Sequence, residues 1–105
     1  MVELNWTLES ERWLRDIFNY ISKDNPQAAS KVIESIYKTA QILKKFPESG
    51  YIYKQNQSQH IRILLYGHYR IAYLIKPDRN IDILGVFHGS LDMDRYLTRL
   101  SHLKS

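Results

Sequence analysis

Ile61-Arg62-Ile63-Leu64-Leu65-Tyr66, then Gly67-His68, then Tyr69-Arg70-Ile71-Ala72-Tyr73-Leu74-Ile75 is the stretch on which the fold turns. Its two halves are rich in β-branched and aromatic residues, and the pair between them has the composition of a tight turn. Pro77-Asp78-Arg79-Asn80 supplies a second turn, and Ile81-Asp82-Ile83-Leu84-Gly85-Val86-Phe87 a third strand of the same kind. An antiparallel meander is the economical arrangement for three such strands. If Gly67-His68 is a two-residue loop, Tyr66 faces Tyr69, Arg62 faces Tyr73, and Arg70 faces Leu65. The two arginines then point to opposite sides of the sheet, whereas a bulge or longer loop reunites them.

Upstream the period changes from two to 3.6. Leu8, Trp13, Leu14, Ile17, Phe18 and Ile21 recur on one helical face, preceded by a short strand from Glu3 to Trp6 and by Thr7 as a helix cap. Asn25-Pro26 provides an N-cap and a first-turn proline for a second helix. Its apolar face runs through Ala29, Val32, Ile33, Ile36, Tyr37, Ala40, Leu43 and Phe46, and Lys44, Lys45 and Pro47 close it. The short connection makes the two helices an antiparallel hairpin. Glu48-Ser49-Gly50 leads onward, and the polar residues Lys54 to Gln59 read as an exposed loop. A terminal stripe of Leu91, Tyr96, Leu97, Leu100 and Leu103 predicts a short C-terminal helix. The expected class is α+β: an N-terminal helical hairpin packed on a curved antiparallel β-sheet, with residues 1–105 forming one domain. One sheet face takes the hairpin, and the other is expected to stay open as a basic groove.

Composition narrows the chemistry. The chain has no cysteine, which excludes disulfides, thiolate metal sites and cysteine nucleophiles. Its histidines, His60, His68, His88 and His102, stand singly, so neither a metal site nor any other cofactor is expected. There is no phosphate-binding glycine loop, dinucleotide fingerprint or nucleophile elbow. The N-terminus lacks the form of a secretion signal, and no apolar run reaches the ~20 residues that span a bilayer, so a protein of the cytoplasm is expected.

Charge is concentrated. The formal net charge is +4, and between Ser49 and Ile81 five cations, Lys54, Arg62, Arg70, Lys76 and Arg79, stand against the single acid Asp78. Such a segment favours phosphate or an acidic partner. Arg62 and Arg70, with Lys54 and Tyr73, are candidate contacts to a phosphate or a macromolecular target. Glu48 as base, Arg70 as the cation on the phosphate and His88 as acid would together suit metal-independent cleavage of RNA. The plainer reading pairs Arg62 or Arg70 with Glu48 or Asp82, leaves Glu48 solvated, makes His88 a structural residue, and sets the strand tyrosines at the margin of the core.

Several segments in order, Trp6-Thr7, Asn25-Pro26, Ala28-Ala29, Phe46-Pro47-Glu48-Ser49-Gly50, Arg62, Tyr69-Arg70-Ile71-Ala72-Tyr73 and Ile83-Leu84-Gly85-Val86-Phe87-His88-Gly89, resemble the RelE/ParE superfamily of toxins. The resemblance implies toxicity and neutralisation by a small antitoxin encoded alongside. RelE-like members cleave messenger RNA on the ribosome, and Arg70, His88 and loosely Glu48 match positions used there. That branch, however, ends on an aromatic residue beside the histidine, where this chain has Gly89 and a further segment. The Asn-Pro hairpin and the longer tail resemble ParE-like members, which inhibit DNA gyrase without being hydrolytic enzymes. The ParE-like branch is therefore favoured, with a ribosome-dependent nuclease and a non-toxic binding module as alternatives.

Overall fold

The computed structural model describes residues 2–55, 60–89, 93, 95 and 97. Strand β1 (Leu4–Trp6) leads into helix α1 (Leu8–Ser22) and helix α2 (Pro26–Ala40), which continues as a 3-10 turn over Gln41–Lys44. Strands β2 (Tyr51–Gln55), β3 (His60–Tyr66), β4 (Tyr69–Ile75) and β5 (Ile81–His88) follow. They form one sheet in the order β1-β5-β4-β3-β2.

Local chemistry sets each helix start. Thr7 Oγ1 accepts from Ser10 N at 3.2 Å and donates to the Ile83 carbonyl at 2.7 Å, so one hydroxyl caps α1 and ties it to β5. Asn25 Oδ1 accepts from Ala28 N at 3.1 Å, and Pro26 occupies the first turn of α2 as expected. Leu14, Ile36 and Leu43 then bury against Ile71, Tyr73, Ile81, Ile83 and Val86. Trp6 and Tyr37 pack their rings 4.5 Å apart at the margin of this cluster.

The sheet departs from the expectation in three ways. It is mixed, because β1 runs parallel to β5, with Leu4 opposite Ile81 and Trp6 opposite Ile83. Residues Tyr51–Gln55 form an edge strand antiparallel to β3, so Lys54 and Gln55 belong to a strand and not to a loop; residues 56–59 of the predicted loop lie outside the described residues. The second face is also not left open. Met93 and Leu97 are helical and buried, and they close with Ile63, Ala72 and Phe87 into a second cluster. The remainder of the predicted C-terminal helix lies outside the described residues.

Two residues assigned to the apolar helical faces point outward instead. Leu8 is 70% exposed and Phe46 60% exposed. Leu8 is the first residue of α1, where no preceding turn holds it against the sheet. Phe46 follows the 3-10 turn, whose three residues per turn shift the phase of the helical stripe.

Hairpin register follows from the turn. Gly67 sits at φ 56°, which suits the first central position of a two-residue type II′ loop. Tyr66 pairs with Tyr69, Leu65 with Arg70 and Arg62 with Tyr73. The two arginines therefore lie on opposite faces of the sheet.

Candidate functional site

Arg62 and Tyr73 share the face that carries the helices, and both reach the segment that links the 3-10 turn to β2. The Tyr73 hydroxyl donates to the Pro47 carbonyl at 2.6 Å and accepts from Gly50 N at 2.9 Å. Arg62 donates to the Gly50 carbonyl at 2.8 Å and to the Glu48 carbonyl at 3.3 Å. Its guanidinium also stands 3.9 Å from the Glu48 carboxylate, which is largely in solvent and adds little. Burial raises the Tyr73 phenol above its ordinary range; the Gly50 hydrogen bond and the Arg62 charge act against that shift, while Glu48 adds to it.

Gly50 makes this latch possible. A Cβ there would lie 2.6 Å from the Ile63 carbonyl oxygen and 2.7 Å from the Tyr73 ring. The segment from Phe46 to Gly50, Arg62 and Tyr73, apart in the sequence, are thus parts of one structural joint. Tyr73 is fully buried and its hydroxyl is occupied, so it is an interior residue and not a target contact. Arg62 is committed to the same joint through the carbonyls of Glu48 and Gly50.

The other expected residues lie elsewhere. Arg70, opposite Phe87 on β5, projects from the second face, where it donates to the Tyr51 hydroxyl at 3.3 Å. His88 is exposed at the end of β5 opposite Tyr69, with the two rings 5.3 Å apart. On its α1 side a cleft of about 300 Å³ is lined by Trp13, Asp16, Tyr20 and Tyr69 among others. Glu48 keeps company with Arg62, so the structure does not bring Glu48, Arg70 and His88 around one point. Lys54 is placed on β2 at the far edge of the sheet.

His68, a turn residue in the sequence, also belongs to this corner of the sheet. Its ring lies 6.1 Å from that of His88, and the pair shares the end of the β3–β4 hairpin with Arg70. The signal was available in the two-residue loop, which sets His68 beside the end of β5. Among the described residues no three metal-ligating side chains come together. No helix among them is long and apolar enough to cross a membrane.

Comparison with known proteins agrees with this architecture. A candidate toxin of Sinorhizobium fredii, Y4kP, is 34% identical over 86 residues, which cover 82% of this chain and 86% of the relative. A chain of the chromosomal ParDE toxin–antitoxin system of P. aeruginosa superposes with a TM-score of 0.66 at 20% identity, covering 84% of this chain and 96% of that one. A chain of the RelBE2 toxin–antitoxin complex of Mycobacterium tuberculosis gives a TM-score of 0.53 at 21% identity, covering 84% and 98%. At those identities the two structures speak for the fold alone. Residues 4–93 match the family described as the ParE toxin of the type II toxin-antitoxin system, parDE, and the chain belongs to that family.

Proposed function

We propose that this ParE-family protein arrests growth by binding and inhibiting DNA gyrase in the cytoplasm, and that an antitoxin encoded beside it holds it silent. The observation that carries the choice of target is the separation of Glu48 from Arg70 and His88. Cleavage of RNA without a metal needs a base, an acid and a cation within hydrogen-bond reach of one phosphate. Glu48 instead borders the Arg62 joint, and Arg70 projects from the face opposite to it. A protein that works by occupying its target needs no such convergence. The antitoxin is supported by the solved relatives, which come from toxin–antitoxin systems.

The test uses the purified full-length chain in two reactions: supercoiling by gyrase, and translation of a labelled messenger on ribosomes. Gyrase inhibition with intact messenger is the expected result. Codon-position cleavage with unaffected gyrase would overturn it in favour of the ribosome-dependent nuclease. Expression in cells should stop growth, and co-expression of the neighbouring reading frame should restore it. Harmless overexpression of folded protein would mark a binding module that keeps only the fold.

A further inference from the structure

We propose that the end of β3 and the C-terminal half of α2 frame a docking groove for an extended segment of a partner protein, apolar at alternate positions with carboxylates between them. The groove, about 570 Å³, has Ser35, Lys38, Thr39 and Ile42 on one side and residues 64–66 on the other. Leu65 is 56% exposed and Ile42 46%, so its walls hold apolar surface that the fold leaves in water.

This edge is open because the chain that would cover it is held elsewhere. β2 accompanies β3 as far as Tyr51 opposite Ile63, and the same register continued would set Ser49 opposite Leu65. The Ile63 carbonyl lies on the Gly50 side, toward β2. Backbone groups alternate along a strand, so the N–H and C=O of Leu65, two residues on, point the same way. Ser49, however, donates its N–H to the Phe46 carbonyl at 3.1 Å, and the Gly50 amide and carbonyl are bound to Tyr73 and Arg62. The joint thus turns the chain off the ladder before it reaches Leu65, which has no strand neighbour on that side among the described residues. A free N–H and C=O beside apolar surface is the arrangement to which a further strand adds.

Charge selects the occupant. Of the described residues lining the groove Lys38 alone is charged, while Glu34 lines a separate hollow with Lys31. Lys44 and Lys45, exposed just beyond Ile42, add to the positive field. A second copy would bring one basic surface, and a net charge of +4, against another, so a carboxylate-bearing partner is favoured over self-pairing. The groove does not depend on the choice of gyrase as target.

Two NMR measurements on the full chain test it. In the free protein the Leu65 amide should exchange with solvent fast, and that of Ile63, covered by Tyr51, slowly. Protection of Leu65 at every protein concentration would mean that the chain covers this edge itself, and protection that grows with concentration that a second copy does; either overturns the proposal. A short probe peptide alternating valine with glutamate or aspartate is then titrated, beside a copy with lysine at the acidic positions and a copy with a methylated backbone. Saturable shifts of the Leu65 amide are expected with the acidic peptide, about threefold or more weaker binding of the lysine copy, and none of the methylated one.

Lys38→Glu should weaken binding of the acidic peptide about threefold or more and Leu65→Asp about tenfold, whereas Lys23→Glu, at the other end of the helical hairpin, should stay within about twofold. No saturable shift with the acidic peptide, equal binding of the lysine or methylated copy, or unchanged affinity in folded Lys38→Glu and Leu65→Asp would each overturn the proposal.

Discussion

Arg62 and Tyr73 face one another across β3 and β4 and hold the same segment, Arg62 through the carbonyls of Glu48 and Gly50, Tyr73 through the Pro47 carbonyl and the Gly50 amide. The positive charge that drew attention to Arg62 in the sequence is used to fasten a crossing of the chain. Residues that look like an active-site pair are here a joint between the helical layer and the edge of the sheet.

Tyr73→Phe removes one donor and leaves the Gly50 amide without its acceptor. A loss of about 1–3 kcal/mol is expected, because the buried amide is then unsatisfied. Urea unfolding followed by circular dichroism measures it, and a change under a few tenths would show that the joint contributes nothing.

The same phenol predicts an alkaline limit. Its pKa in the folded protein is raised by burial, so the stabilising contribution is fully present below the unfolded value of about 10 and is lost as pH rises from there through the higher folded value. Tyr37 and Tyr69 are raised as well, again chiefly by burial, and act in the same direction. Thermal melts at increasing pH should decline in that window, and Tyr73→Phe should reduce the slope without removing it.

Gly50→Ala tests the close approach directly. With the Ile63 carbonyl 2.6 Å from the added carbon, backbone must move, and a cost of about 2 kcal/mol or more is expected. A variant as stable as the parent would mean the chain crossing is free to shift.

The two arginines should separate by phenotype. Arg62→Met should lower stability by about 1–3 kcal/mol through loss of its bonds to carbonyls, while Arg70→Gln should stay within about 0.5 kcal/mol of the parent. Paired denaturation curves decide it, and reversal of the order would contradict the placement of the two side chains.

Arg79 holds φ at 75° in the turn before β5, a region that costs a side chain roughly 1 kcal/mol. Arg79→Gly should therefore raise the melting temperature by a few degrees, in line with about 4–8 °C per kcal/mol for a domain of this size. Unchanged or lower melting would show that the arginine side chain earns its strain through contacts.

Much of this was legible in the sequence because it is local. Gly67-His68 between two β-rich runs offered the pairing of Arg62 with Tyr73 and of Arg70 with Leu65 as one of two registers, which the structure then chose, and Thr7 and Asn25-Pro26 marked the helix starts. What escaped was non-local. Nothing near Leu4 announces that its strand runs parallel to one beginning at Ile81, and in Tyr51–Gln55 the β-forming run Tyr51-Ile52-Tyr53 is short and its end, Lys54-Gln55, merges with the polar stretch that follows. Of the terminal leucine stripe, Leu97 is the residue the structure describes, and it is helical as expected; its partner was not readable, so the cover that Met93 and Leu97 place over Phe87 was missed. At the candidate site, residue types were visible and convergence was not: His68 joined His88, and Glu48 parted from both.

β1 has its sole strand neighbour, among the described residues, in β5, and Leu4 therefore waits for Ile81. During synthesis the helical hairpin can form as soon as it emerges, but the first strand stays unmatched until residues 81 to 83 have been made. Messages cut short before that point yield a chain that is half assembled and open to proteolysis, so a fragment cannot stand in for the finished toxin.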